Sequence, residues 1–65
     1  MYPNLRAEMA RKNITGYELA EKIGITNGTF STKFNGKSDF TLDEAFKIKG
    51  VLETDLTIEV LFAKE

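Results

Sequence analysis

Apolar residues recur at spacings of three and four along several stretches of the chain, most of them opened by a residue that suits a helix start and two of them closed by a glycine that suits a helix end. Leu5, Met9 and Ile14 mark the first stripe. Pro3 suits the first turn ahead of it, where a missing N–H leaves nothing unsatisfied, so a helix from about Asn4 to Lys12 is predicted. Thr15-Gly-Tyr-Glu18 has the form of a capping box, in which hydroxyl and carboxylate satisfy orphan amides. A second helix then runs to Ile23, stopped by Gly24, which can take the left-handed conformation a helix end requires. Thr26 is a good cap for a third helix, whose Phe30 and Phe34 share one face and whose terminator is Gly36. Lys37 to Phe40 reads as a loop. Thr41-Leu-Asp-Glu44 repeats the capping box and opens a fourth helix with Leu42, Ala45, Ile48 and Leu52 inward. Thr57 is the expected cap of a short last helix carrying Ile58, Leu61 and Phe62.

Strand signals are few, and there is no repeat or low-complexity segment. The expected fold is all-α: a compact bundle of four to five short helices with a helix-turn-helix, forming one domain over residues 1–65. Helices this short are marginal alone. Their stability has to come from packing Leu5, Met9, Leu19, Ala20, Ile23, Ile25, Phe30, Phe34, Phe40, Leu42, Ala45, Ile48 and Leu52 into one small core.

Composition narrows the chemistry. The 65 residues contain no Cys and no His, which excludes disulfides and the usual zinc ligand sets, so no metal and no cofactor is expected. Catalysis is the least supported class for the same reason: neither His nor Cys is available for acid–base or nucleophilic work, no phosphate loop is present, and Asp43 and Glu44 are better placed to cap a helix. No apolar run approaches the roughly 20 residues that cross a bilayer and no charged leader precedes a hydrophobic stretch, so a soluble, cytoplasmic protein is expected, with no membrane partner and no small-molecule substrate. The net charge of −1 hides an asymmetry. Up to Lys37, six cations (Arg6, Arg11, Lys12, Lys22, Lys33, Lys37) face three carboxylates, a net of +3; beyond it, three cations face seven carboxylates, a net of −4.

Between the second and third helices lie only about three residues, Gly24, Ile25 and Thr26, so the chain turns sharply and a large crossing angle is needed for both apolar faces to reach one core. Ala20 is the expected contact point, small enough to let the two helix backbones approach beneath Phe30. Leu19-Ala20, Ile23-Gly24-Ile25, Thr26, Phe30-Ser31, Phe34-Asn35-Gly36 and Phe40-Thr41-Leu42-Asp43-Glu44-Ala45 together resemble the helix-turn-helix and following helix of the Cro/lambda-repressor (Xre-type) DNA-binding family. The resemblance runs from about Leu5 to Phe62.

It implies that the third helix, Asn27 to Asn35, is a recognition helix laid in the major groove of double-stranded DNA. With both phenylalanines facing the core, the outward side offers Asn27, Gly28, Ser31 and Thr32, uncharged positions suited to base edges: Asn can bond adenine bidentately, and a Thr methyl can meet that of thymine. Positions matching the family's backbone contacts are Thr15, Gly16 and Tyr17 at the second helix, then Asn35, Lys37 and Ser38, with Lys33 expected on a phosphate. Asn35 has the alternative of capping its own helix, and Tyr17 that of covering Leu5 or Met9. The chain departs from the family pattern at Gly16, where a glutamine is common, at Gly28 inside the third helix, in having no arginine there, and in the longer link Glu53-Thr-Asp-Leu56. Weak affinity or A·T-leaning specificity is the expected consequence.

The leading functional expectation is a small transcriptional regulator of repressor type, phage- or prophage-derived. The alternative is a degenerate helix-turn-helix that binds a protein partner, as an antitoxin or antirepressor would. Leu56, Ile58, Val60, Leu61 and Phe62 exceed what one short helix need bury, which predicts a weak symmetric homodimer placing two recognition helices one duplex turn, about 34 Å, apart. The competing reading has these side chains closing the monomer's own core.

Overall fold

Threonine sets four of the five helix starts in the computed structural model, which describes residues 1–65. The helices are α1 (Pro3–Arg11), α2 (Gly16–Ile23), α3 (Asn27–Phe34), α4 (Leu42–Leu52) and α5 (Ile58–Leu61), with no strand. Both predicted capping boxes are formed. The Thr15 hydroxyl accepts the Glu18 amide at 3.1 Å while the Glu18 carboxylate accepts the Thr15 amide at 2.9 Å, and Thr41 and Glu44 repeat the same two bonds at 3.1 and 2.9 Å. Thr26 and Thr57 accept the amides of Thr29 and Val60 at 3.1 and 3.2 Å. Only α1 begins without a side-chain cap, on Tyr2 with Pro3 behind it.

Left-handed residues close the first four helices. Gly24 has φ 84°, and the amides of Gly24 and Ile25 return to the carbonyls of Glu21 and Ala20 at 3.3 and 3.0 Å. Gly36, at φ 85°, ends α3 in the same way, its amide and that of Lys37 reaching Lys33 and Thr32. Two side-chain-bearing residues also take this conformation, Asn13 at φ 55° after α1 and Glu53 at φ 50° after α4. Asparagine tolerates it; glutamate has no such excuse.

α2 packs on both α3 and α4, and α5 fits against α4 and α1, so that Leu5, Leu19, Ile48, Leu52 and Leu61 are completely buried at the centre. Ala20 is buried where expected, and Phe30 lies over the same core. Ile25, Phe34 and Phe40 are half-buried around it. Tyr2, outside every apolar stripe, is buried and sits edge-on to Phe40 and Phe62, ring centroids 5.5 and 5.9 Å away.

One expected core position is corrected: Leu42 is 65% exposed. It is the first residue of α4, and helical side chains lean toward the helix start, so this one leans past the end of its helix. Phe46, one turn on, is 57% exposed. Leu42 instead walls an open groove of about 410 Å³ with Tyr2, Phe40, Ala45, Ile58 and Phe62. The competing reading for residues 56–62 also gains: Leu61 is wholly inside the monomer, Leu56, Ile58 and Phe62 are half-buried, and only Val60 is exposed. The link Glu53–Leu56 is tied down, because Lys49 Nζ donates to the carbonyls of Thr54 and Leu56 at 2.8 and 2.6 Å.

Candidate nucleic-acid interface

Phe30 and Phe34 decide which way α3 faces. Their rings stack 5.5 Å apart, 16° from parallel; Phe30 is buried and Phe34 half-buried. The rest of the helix is thereby turned outward. Asn27, Gly28, Ser31 and Thr32 are all exposed, and so are Asn35, Lys37 and Ser38 beyond the helix end. No carboxylate stands in the first turn of α3. The outward side is therefore a strip of amide, hydroxyl and bare backbone, without charge to repel a polyanion. Asn35 is the C-terminal cap of α3, its backbone N–H returning to the Ser31 and Lys33 carbonyls, while its side-chain amide donates to the Ser31 hydroxyl at 3.3 Å, within the strip, and Gly36 follows in the left-handed conformation.

The start of α2 brings Thr15, Gly16 and Tyr17 together, with Tyr17 65% exposed rather than folded over Leu5 or Met9. The amides of Gly16 and Tyr17 have no partner within the chain. The Thr15 hydroxyl is engaged with Glu18, whose carboxyl is held below its usual range by the Thr15 amide and hydroxyl and stays ionised beside those amides. That charge offsets part of the helix end's attraction for phosphate. Gly16 itself has a packing reason: a Cβ there would stand 3.0 Å from Phe30 Cε2 and 3.3 Å from Cδ2. The glutamine of the related pattern has no room in this packing without moving the Phe30 ring.

Lys33 is placed differently from the expectation. Three residues after Phe30, it lies at the edge of the buried side, and its Nζ donates to both Glu44 oxygens at 2.7 and 2.8 Å. The two side chains are only 15% and 14% exposed. The Lys33 ammonium beside Glu44 is the main reason that its carboxyl is held below the ordinary range. The cation expected on a phosphate is thus turned toward α4.

Arg6 is a cation that sequence reasoning passed over. Its guanidinium lies 5.2 Å from the centre of the Phe34 ring, beside the end of α3, and it enters no ion pair. The signal available was its position next to Leu5 on the first stripe, but the partner ring is 28 residues away in sequence. Lys12, Lys22 and Lys37 are likewise outside every ion pair, whereas Lys47, Lys49 and Lys64 are bonded to Asp43, to carbonyls and to Asp39. Asp39, the carboxylate nearest Ser38 in the chain, is neutralised by Lys64 at 2.7 Å. The cations outside every ion pair are therefore Arg6, Lys12, Lys22 and Lys37 in the first 37 residues, and Lys49, which two carbonyls hold.

A family model described as a Cro/C1-type HTH DNA-binding domain matches residues 4–57. No curated protein and no solved structure matches the chain.

Proposed function

The chain belongs to the Cro/C1-type helix-turn-helix DNA-binding domain family, and from that premise we propose that it is a non-catalytic regulator of repressor type, reading double-stranded DNA with α3 in the major groove. Asn27, Ser31 and Thr32 meet base edges, and Gly28 lets the backbone come close. Gly16 and Tyr17 offer amides to one stretch of phosphates, with Thr15 beside them, and Asn35, Lys37 and Ser38 meet another. Arg6 joins the second group, and Lys33, held by Glu44, is left out of both.

The observation that carries this reading is the uncharged outward strip of α3, with Arg6 and Lys37 unpaired at its carboxyl end. The decisive experiment is a salt series on duplexes selected from a random pool. A binder of this kind loses affinity linearly in log–log form, with a slope of about −0.9 for each phosphate engaged. Flat, negligible binding at low salt sinks the reading. That result favours a protein partner, for which the exposed Leu42 and Phe46 on α4 are the specific support. No helix is long and apolar enough to cross a membrane. A second copy of the chain, if it pairs on the operator, has Val60, Leu42 and Phe46 as its exposed apolar contacts, since Leu61 is closed inside the monomer.

A further inference from the structure

The carboxylate of Glu44 serves two segments at once. Its Oε1 accepts the Thr41 amide at 2.9 Å, fixing the start of α4 and the end of the loop that carries Asn35, Lys37 and Ser38. The same oxygen accepts Lys33 Nζ at 2.7 Å, and Oε2 accepts it at 2.8 Å. One side chain therefore holds the last turn of α3 and the far end of the adjoining loop in a fixed relation. The aromatic contact on the inner side of α3 does not do this alone, because stacked rings slide and tilt at little cost, whereas a charge-assisted bond to two oxygens in a nearly closed site is sensitive to direction.

We propose that Glu44 is a positioning residue for DNA recognition: acting through Lys33 and Thr41, it sets the roll of α3 and the placement of the loop beyond it, without touching DNA. The inference rests on the reading of α3 as the recognition helix. Lys33 is a strut between helices, and its charge is not presented to phosphate. A carboxylate that merely masked Lys33 would have the opposite effect on binding, and this makes the two roles separable.

The test uses the full chain with Glu44→Gln, which keeps an oxygen for the Thr41 amide, Lys33→Met, which keeps the apolar stem, the double variant and Lys33→Arg. Each is measured by circular dichroism for folding, and by a salt series on a selected duplex and on a random one. If the parent chain binds neither duplex, the DNA reading itself falls. If it binds, both single variants are expected to lose about tenfold of the preference for the selected duplex, and the double variant no more than either single one, as residues acting through one contact are not additive. Lys33→Met keeps the parent's salt slope, and Lys33→Arg restores most of the preference. The proposal is overturned if Lys33→Met shallows the slope by about one phosphate's worth, which assigns Lys33 to the DNA backbone. It is equally overturned if Glu44→Gln binds more tightly with a steeper slope, or if folded variants keep the parent's preference. Should one of Glu44→Gln and Lys33→Met fail to fold, the slope and preference of the other decide as above, and a folded Lys33→Arg that has lost the preference overturns the strut in either case.

Discussion

Gly16 and Phe30 are in contact across the α2–α3 junction, so close that a Cβ on Gly16 would lie 3.0 Å from the ring's Cε2. Phe30 is buried and cannot move without disturbing Phe34 and Phe40, whose centroids lie 5.5 and 5.7 Å from its own. Gly16→Gln, which would restore the commoner family residue, is therefore expected to lower stability by about 1–3 kcal/mol through overpacking. Chemical denaturation measures it; an unchanged midpoint would mean that the ring yields freely.

Gly50 and Gly28 are the opposite case. Neither has anything within 4 Å of the place where a Cβ would stand, and neither takes a left-handed backbone. Alanine at either position should raise stability by about 0.5–1 kcal/mol. Gly50→Ala, on α4, should leave DNA binding unchanged, whereas Gly28→Ala should alter it, because a methyl group then stands on the outward strip proposed to meet DNA. Thermal melts paired with binding titrations distinguish the two.

Glu53 sits at φ 50°, where a Cβ is unfavourable. Glu53→Gly is expected to stabilise the fold by about 1 kcal/mol. Loss of stability instead would indicate that the side chain has a role in seating the link to α5.

On the reading face, Asn27→Ala should relax the preference at one base pair, at a cost of about 1–3 kcal/mol on the favoured sequence only. Lys37→Ala and Arg6→Ala should weaken all duplexes alike, each reducing the salt slope by about one phosphate. Binding to a panel of single-base variants of a selected site checks both.

Stability should be nearly flat from about pH 6 to 7, because no histidine is present. Below that it should fall. Arg11 holds Glu8 below its ordinary value, Thr15 holds Glu18, Lys64 holds Asp39, Lys33 holds Glu44, and the terminal ammonium holds Glu65. A carboxyl with a depressed folded value contributes stability above its unfolded pKa, near about 4, and loses it as pH drops through the folded value. A midpoint series between pH 7 and 2.5 should decline only in the acid part, and Glu44→Gln should flatten part of that decline.

The helices were legible because many of their start and stop signals are local: a threonine and the residue three positions on at four starts, and a glycine at the exit of α2 and of α3. The predicted Asn4–Lys12 helix and the observed Pro3–Arg11 differ by one residue at each end. The outward strip followed from two phenylalanines spaced four apart. What escaped depended on distant partners. Lys33 was expected on a phosphate, because the direction in which its long stem bends is set by Glu44, which lies 11 residues away. Tyr2 belongs to no stripe, and its burial depends on Phe40 and Phe62 arriving from other parts of the chain. Leu42 fits the inward spacing, and nothing in that spacing says that the neighbouring wall stops short of it.

The threonines at the four helix starts have a kinetic consequence. Each hydroxyl finds its amide three residues away, so the nucleus of every helix but the first closes by a loop of a few bonds, before any distant contact exists. Segments defined this way need only collide and dock, and helical chains of such low contact order reach the native state on the order of microseconds to milliseconds. Such a chain has little time as an exposed coil, and each of the four hydroxyls acts as a latch on the way in.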